Sequence, residues 1–170
     1  MNGRCVFGAQ YKQEDKEIML YEEKVIETIP VGPLGLIPLK SCTELGNKVD
    51  RYLVDWRRER ESEHKSTIAF TGYQRDSYII NASTPRFGSG EGKGIIEESV
   101  RGDDLYIMVD VCNYSLTYSL FGMTNHMSPD DHFQDLKRII AAAAGKARRI
   151  NVIMPFLYES RQHKRSGRES

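Results

Sequence analysis

An α/β fold built on a mainly parallel sheet is predicted by three features of this sequence. The run Leu105 to Val111 has an apolar majority at strand length. Ile150 to Phe156 is a second such run, rich in β-branched residues, and reads as a strand buried on both faces of a parallel sheet. Between them, Ser128-Pro129-Asp130-Asp131 opens a helix with a Ser cap, Pro at the first helical position and two acids facing the positive end of the dipole. Phe133, Leu136, Ile139, Ile140 and Ala143 line one face of that helix, and Gly145 stops it. Strand 105–111, helix 129–144 and strand 150–156 therefore compose a βαβ unit, with a right-handed crossover and a parallel strand pair.

The bulk properties fit one domain, since 170 residues suffice to bury a real core. Lys plus Arg and Asp plus Glu number 24 each, so global charge favours neither nucleic acid nor a membrane surface as partner. The charge is nonetheless uneven. Lys146, Arg148, Arg149, Arg161, Lys164, Arg165 and Arg168 are opposed only by Glu159 and Glu169 in the last stretch of the chain. Cys5, Cys42 and Cys112 are odd in number and far apart, which indicates neither a disulfide framework nor a zinc knuckle and points to a reducing cytoplasm. No stretch approaches the roughly 20 apolar residues of a membrane span, and the N-terminus lacks the hydrophobic region of a signal peptide.

In chain order, Met1 to about Gly35 is mixed polar sequence whose closing Ile-Pro-Val-Gly-Pro-Leu-Gly discourages regular structure, so 1–35 reads as an N-terminal extension and 36–170 as the α/β domain. Leu36 to Leu39 is a short strand. Ser41-Cys42-Thr43-Glu44 has the spacing of a capping box, and Leu45, Val49, Tyr52, Leu53 and Trp56 then recur as the apolar stripe of a helix running to about Glu61, with Gly46 weakening it slightly. Thr67 to Thr71 and Tyr78 to Ala82 read as strands, with a turn at Gly72 to Asp76 between them. Asn113 to Met127 is a long connection carrying Tyr114, Tyr118, Phe121 and Met123.

Two stretches could carry chemistry. In open α/β sheets ligands collect outside the carboxyl ends of the strands, where Arg161, Gln162, His163, Lys164 and Arg165 would stand, so an anionic ligand is the first expectation and a solvated basic loop the alternative. The second stretch is Phe87-Gly88-Ser89-Gly90-Glu91-Gly92-Lys93-Gly94, whose glycines would let backbone amides approach a phosphate. It is not a P-loop, because Gly88 and Gly92 enclose three residues rather than four and Gly94 follows Lys93. A hairpin tip with no ligand is the other reading. Asp130 and Asp131 are explained as first-turn acids, and the spacing of His126 and His132 fits no common metal motif. No nucleophile with a partner base can be assembled locally; Cys112 has none in sequence reach.

The segment Glu98-Ser99-Val100-Arg101-Gly102-Asp103-Asp104-Leu105-Tyr106-Ile107, followed by the helix and by Pro155-Phe156-Leu157-Tyr158-Glu159-Ser160-Arg161-Gln162-His163-Lys164, closely resembles the N-terminal half of ribose-phosphate pyrophosphokinases. The resemblance runs from about Leu36 to Ser170. It implies a three-layer, phosphoribosyltransferase-like α/β domain with a mainly parallel sheet flanked by helices. It also implies an enzyme that uses Mg2+ and transfers the terminal diphosphate of ATP to the C1 hydroxyl of ribose 5-phosphate. The stretch ending in Glu91 corresponds to an adenine-side loop contributed across a subunit contact, which implies a homo-oligomer. Phe87 would stack on the base and Glu91 accept from its amino group, with Ser89 and Gly90 completing the loop; Ser89 stands where the family pattern has a carboxylate or amide.

Arg161 and Gln162 match the family's ATP-contacting pair, and a guanidinium fork suits phosphate oxygens. His163 stands where many members have Asp. Ser99 and Arg101 resemble positions that bind phosphate or ADP in regulated members, and Arg168, matching a further Arg of the loop, joins them; a buried Arg101–Asp pair organising a turn is the alternative role. The second domain of the family, with the metal-binding His and the ribose-phosphate motif, is not in these 170 residues, so the fragment is expected to be inactive by itself. Three readings follow: the ATP-contacting half of a pyrophosphokinase with an insertion around Arg57 to Gln74, a non-catalytic regulator associated with such an enzyme, or an unrelated nucleotide- or phosphate-binding module.

Overall fold

The computed structural model describes residues 30–63, 74–161 and 163–168. The expected strand 67–71 and all of 1–29 lie outside them. In chain order the elements are β1 (Leu34–Pro38), a 3-10 turn (Lys40–Cys42), α1 (Thr43–Ser62), β2 (Ala82–Ser83), β3 (Ile95–Ile96), β4 (Asp104–Met108), β5 (Thr117–Leu120), β6 (Met123–His126), α2 (Pro129–Ala143) and β7 (Arg149–Ile153).

The expected βαβ unit is present. β1, β4 and β7 form a parallel sheet in that order, with Ile37 opposite Ile107 and Ile107 opposite Val152. Side chains alternate across this sheet, and each face has its own helix. Ile37, Leu39, Leu105, Ile107 and Val109 pack with Leu136, Ile139 and Ala143 of α2, whereas Leu36 and Met108 pack with Val54 of α1 and with Tyr78. Fully burying each of these large aliphatic side chains contributes about 1.5–3 kcal/mol, which is what holds two helices on a three-stranded sheet.

On the far side of β1 the chain returns at Ile79, which bridges Leu36 in parallel; Leu36 N–H donates to the Tyr78 carbonyl and Ile80 N–H to the Leu36 carbonyl, both at 2.8 Å. The connection through α1 thus steps one way from β1, and the connection through α2 steps the other way from β4. Right-handed crossovers in opposite directions put the two helices on opposite faces, as seen. The expected strand at Tyr78–Ala82 is reduced to this bridge and the short β2, which pairs antiparallel with β3.

α2 begins as expected. Asp131 N–H donates to Ser128 Oγ at 3.2 Å and Ser128 N–H to the Asp131 carboxylate at 2.9 Å, a reciprocal cap with Pro129 behind it. Its end is shared, because Ala144 already takes a left-handed φ of 50° before Gly145 at 65°. No described helix is long and apolar enough to cross a membrane.

Other expectations are corrected. β1 starts two residues earlier than read and includes Gly35. The capping box at Ser41 does not form: Ser41 lies in the 3-10 turn and its Oγ accepts from Asp110 N–H at 3.0 Å, while Glu44 pairs with Lys48 at 2.7 Å. The buried line of α1 is Gly46, Asp50 and Val54, one position round from the apolar stripe, and it leaves Tyr52 and Trp56 76 % and 68 % exposed. Asp50 faces inward because its carboxylate receives Tyr78 N–H at 2.6 Å and Ser77 Oγ–H at 2.9 Å, bonds an apolar side chain could not supply. β7 is an edge strand with Val152 44 % exposed, not a strand buried on both faces.

The long connection 113–127 contains the β5–β6 hairpin, two strands not expected there. Leu120 pairs with Met123, so Phe121 and Gly122 alone make the turn, with φ of 49° and 79°. Two positive φ values define a type I′ turn, whose right-handed twist suits a hairpin but normally calls for Asn-Gly.

Candidate functional site

The reversal of winding places a crevice between the carboxyl ends of β1 and β4, where doubly wound sheets bind ligands. A cavity of about 690 Å³ opens there, lined by Lys40, Ser41, Asn47, Lys48, Asp110 and Asn113 among others. Its two loops are bolted together. Besides the Ser41–Asp110 bond, Asn113 Nδ2 donates to the Ser41 carbonyl at 3.1 Å, and within the second loop Cys112 N–H donates to Asp110 Oδ1 at 2.9 Å. Burial, with the Asp110 charge second, pushes the Cys42 thiol up to about 11, so at neutral pH it is a packing group rather than a nucleophile. These crevice residues were not singled out from sequence; their only signal is position after two strands whose neighbour relation is tertiary.

Phe87 to Glu91 form a tight turn beside this edge. Phe87 N–H donates to the Glu91 carbonyl at 2.8 Å, Gly90 N–H returns to the Phe87 carbonyl at 2.9 Å, and Gly90 has a φ of 87° that a side chain would resist. Ser89 Oγ donates to the Glu91 carboxylate at 3.0 Å, and the Phe87 ring is 57 % exposed. Arg86, just before the turn, is buried against Asp135 at 2.8 Å and anchors the loop to α2. The loop therefore has a fixed backbone and presents an aromatic ring and a carboxylate outward.

The basic loop follows β7 at the carboxyl edge, as read from sequence. The Arg161 guanidinium lies 5.2 Å from the Phe156 ring centroid, and Phe156 itself packs against the core. Tyr158 stacks on Phe133 at 4.1 Å and donates its hydroxyl to Asp130 at 2.5 Å, so the start of the loop is tied to the first turn of α2. That bond comes first among the causes that push the Tyr158 phenol up to about 12. His163, Lys164, Arg165 and Arg168 are exposed, and Gln162 lies outside the described residues. Phe87 and Arg161 are thus held by different elements, the one by Arg86 and the hairpin, the other by the end of β7.

A family model for the N-terminal domain of ribose phosphate pyrophosphokinase matches residues 34–170. The chain belongs to that family. No curated protein matches the chain closely enough to count as a relative. The matched span begins at the first residue of β1, so the whole parallel sheet falls within the pyrophosphokinase domain.

The remaining residues singled out in the pyrophosphokinase pattern stand as follows. Ser99 Oγ accepts from Arg101 N–H at 3.5 Å, and Arg101 is exposed, so the alternative of a buried Arg101–Asp pair does not hold. Asp103 is buried, and burial, opposed by Arg75, raises its carboxyl. The ordered ion pair here is instead Asp104 with Arg149, at 2.5 and 2.7 Å, and the bond from Arg149 is the first cause holding the Asp104 carboxyl low.

Pyrophosphokinases are Mg2+ enzymes in general, and the described residues form no ready-made cage for the ion. No three His, Cys, Asp or Glu side chains converge among the described residues. Asp130 is taken by Tyr158, Asp131 by the cap, and Asp135 by Arg86 and Arg138. His126 Nδ1 donates to the Tyr114 carbonyl and His132 Nε2 to the Asn113 carbonyl, each at 2.8 Å.

Proposed function

We propose that this chain supplies the ATP-contacting half of a ribose-phosphate pyrophosphokinase, which converts ATP and ribose 5-phosphate to phosphoribosyl diphosphate and AMP. The observation that carries the reading is the family match over 34–170, joined to a pre-shaped turn that offers an exposed ring and a carboxylate. Phe87 stacks on adenine and Glu91 accepts from its exocyclic amine, with Ser89 and Gly90 fixing the turn. Arg161, stacked on Phe156, directs its edge N–H donors at phosphate oxygens, and Gln162 and His163 complete that side. The family resemblance supports the Phe87 loop serving the site of a neighbouring subunit in a homo-oligomer. Ser99, Arg101 and Arg168 form a second, regulatory phosphate or ADP contact.

Phosphoryl transfer rests on positioning and on positive charge around the departing group. Metal-holding and ribose-phosphate-holding groups come from outside the described residues, so these residues alone do not turn over. The test is to incubate the full-length gene product with ATP, Mg2+ and ribose 5-phosphate and follow AMP and phosphoribosyl diphosphate. Stoichiometric appearance of both is expected; their absence with protein shown to be folded overturns the reading.

A further inference from the structure

The β5–β6 hairpin is latched to the Phe87 turn at alternate positions along it. Phe121 N–H donates to the Gly88 carbonyl at 3.0 Å, a Cβ on Gly90 would lie 2.8 Å from Leu120 Cδ1, and the Arg86 guanidinium sits 5.3 Å from the Tyr118 ring centroid. Tyr118 and Leu120 thus spend their side chains on the loop. Phe121 does not: it is 77 % exposed at the tip, in a left-handed conformation that phenylalanine disfavours and that Asn would adopt with little strain. Packing does not account for an aromatic ring at this position. What the fold fixes is its place: the Phe121 backbone is bonded to the Gly88 carbonyl, one residue from Phe87, whose ring is also exposed.

We propose that Phe121 is a second aromatic surface for the nucleotide base held by Phe87, so that the hairpin tip adds affinity for the base. The proposal rests on the reading that Phe87 stacks on adenine. A base offers two π faces, and stacking on an aromatic side chain recognises a face without demanding a particular hydrogen-bond pattern. In this arrangement Glu91, braced by Ser89, reads the base edge while the two rings grip its faces. The backbone strain at Phe121 is then the consequence of placing a ring where the turn alone would take Asn.

The decisive variant is Phe121→Asn in the full-length protein, because the structural and functional roles move in opposite directions. Relief of the turn raises the melting temperature, while loss of the ring weakens ATP binding about tenfold in titration calorimetry. Binding of inorganic triphosphate, which has no base, stays unchanged. Phe87→Ala is measured beside it. If Phe121→Asn binds ATP as tightly as the native protein while Phe87→Ala binds weakly, this inference fails and the nucleotide reading survives. If neither variant changes ATP affinity, the reading fails and takes the inference with it. If Phe121→Asn alters only sedimentation, the tip is a contact between copies and the inference is overturned.

Discussion

Arg161 illustrates how a single side chain is made ready for an anion. Its guanidinium is stacked on Phe156, a ring that packs against the core, which removes part of the conformational entropy that an exposed Arg would lose on binding. Arg161→Ala should therefore weaken ATP binding about tenfold by calorimetry while changing stability by less than about 0.5 kcal/mol, and Arg161→Lys should restore little, because an ammonium neither stacks nor forks. Tyr158 gives a pH signature. Its phenol holds its proton more tightly in the fold, so the Asp130 bond stabilises the fold below the ordinary tyrosine range and the contribution is lost as pH rises from about 10 through about 12. Urea midpoints of native protein and Tyr158→Phe should converge across that window. Arg161 was legible from sequence as a cation after a strand; its seat on Phe156 was not, because residues five apart in a loop have no periodic relation.

Among the elements, α1 shows where pattern and packing part. Gly46 looks like a defect in the helix, yet a Cβ there would lie 2.3 Å from Pro38 Cβ, so the glycine permits the close approach of α1 to β1. Gly46→Ala gains about 1 kcal/mol of helix propensity but forces apart a tight contact costing about 1–3 kcal/mol. Net destabilisation of about 1 kcal/mol is expected in denaturant unfolding; a more stable variant would show that the helix can shift. The apolar stripe of α1 was misread because Asp50, polar and inward, answers to Tyr78, a partner 28 residues away. The hairpin was hidden for a related reason: Phe-Gly carries no I′ signature, and only strand pairing forces both residues to positive φ. α2, by contrast, has every signal in its own sequence, and Ser128→Ala should cost about 1 kcal/mol through loss of the cap.

At the scale of the whole molecule, the proposal that Phe87 and Arg161 serve a site shared between subunits predicts complementation. Phe87→Ala and Arg161→Ala proteins, each weak in ATP binding, should recover tight binding at about one site in four when dissociated and reassembled at equal ratio, because random pairing unites the two intact halves that often. A site within one subunit would recover none. What the sequence determined by itself was local: the capped α2, the strands around it, the basic turn after β7 and the family motifs, all encoded over a few residues by periodicity and turn chemistry. Only the tertiary structure decided that the sheet winds both ways from β1 and β4, opening a crevice at Lys40, Ser41, Asp110 and Asn113, and that the hairpin clasps the Phe87 turn. Strand order and inter-loop hydrogen bonds join residues tens of positions apart, and no local pattern in the chain records such partners.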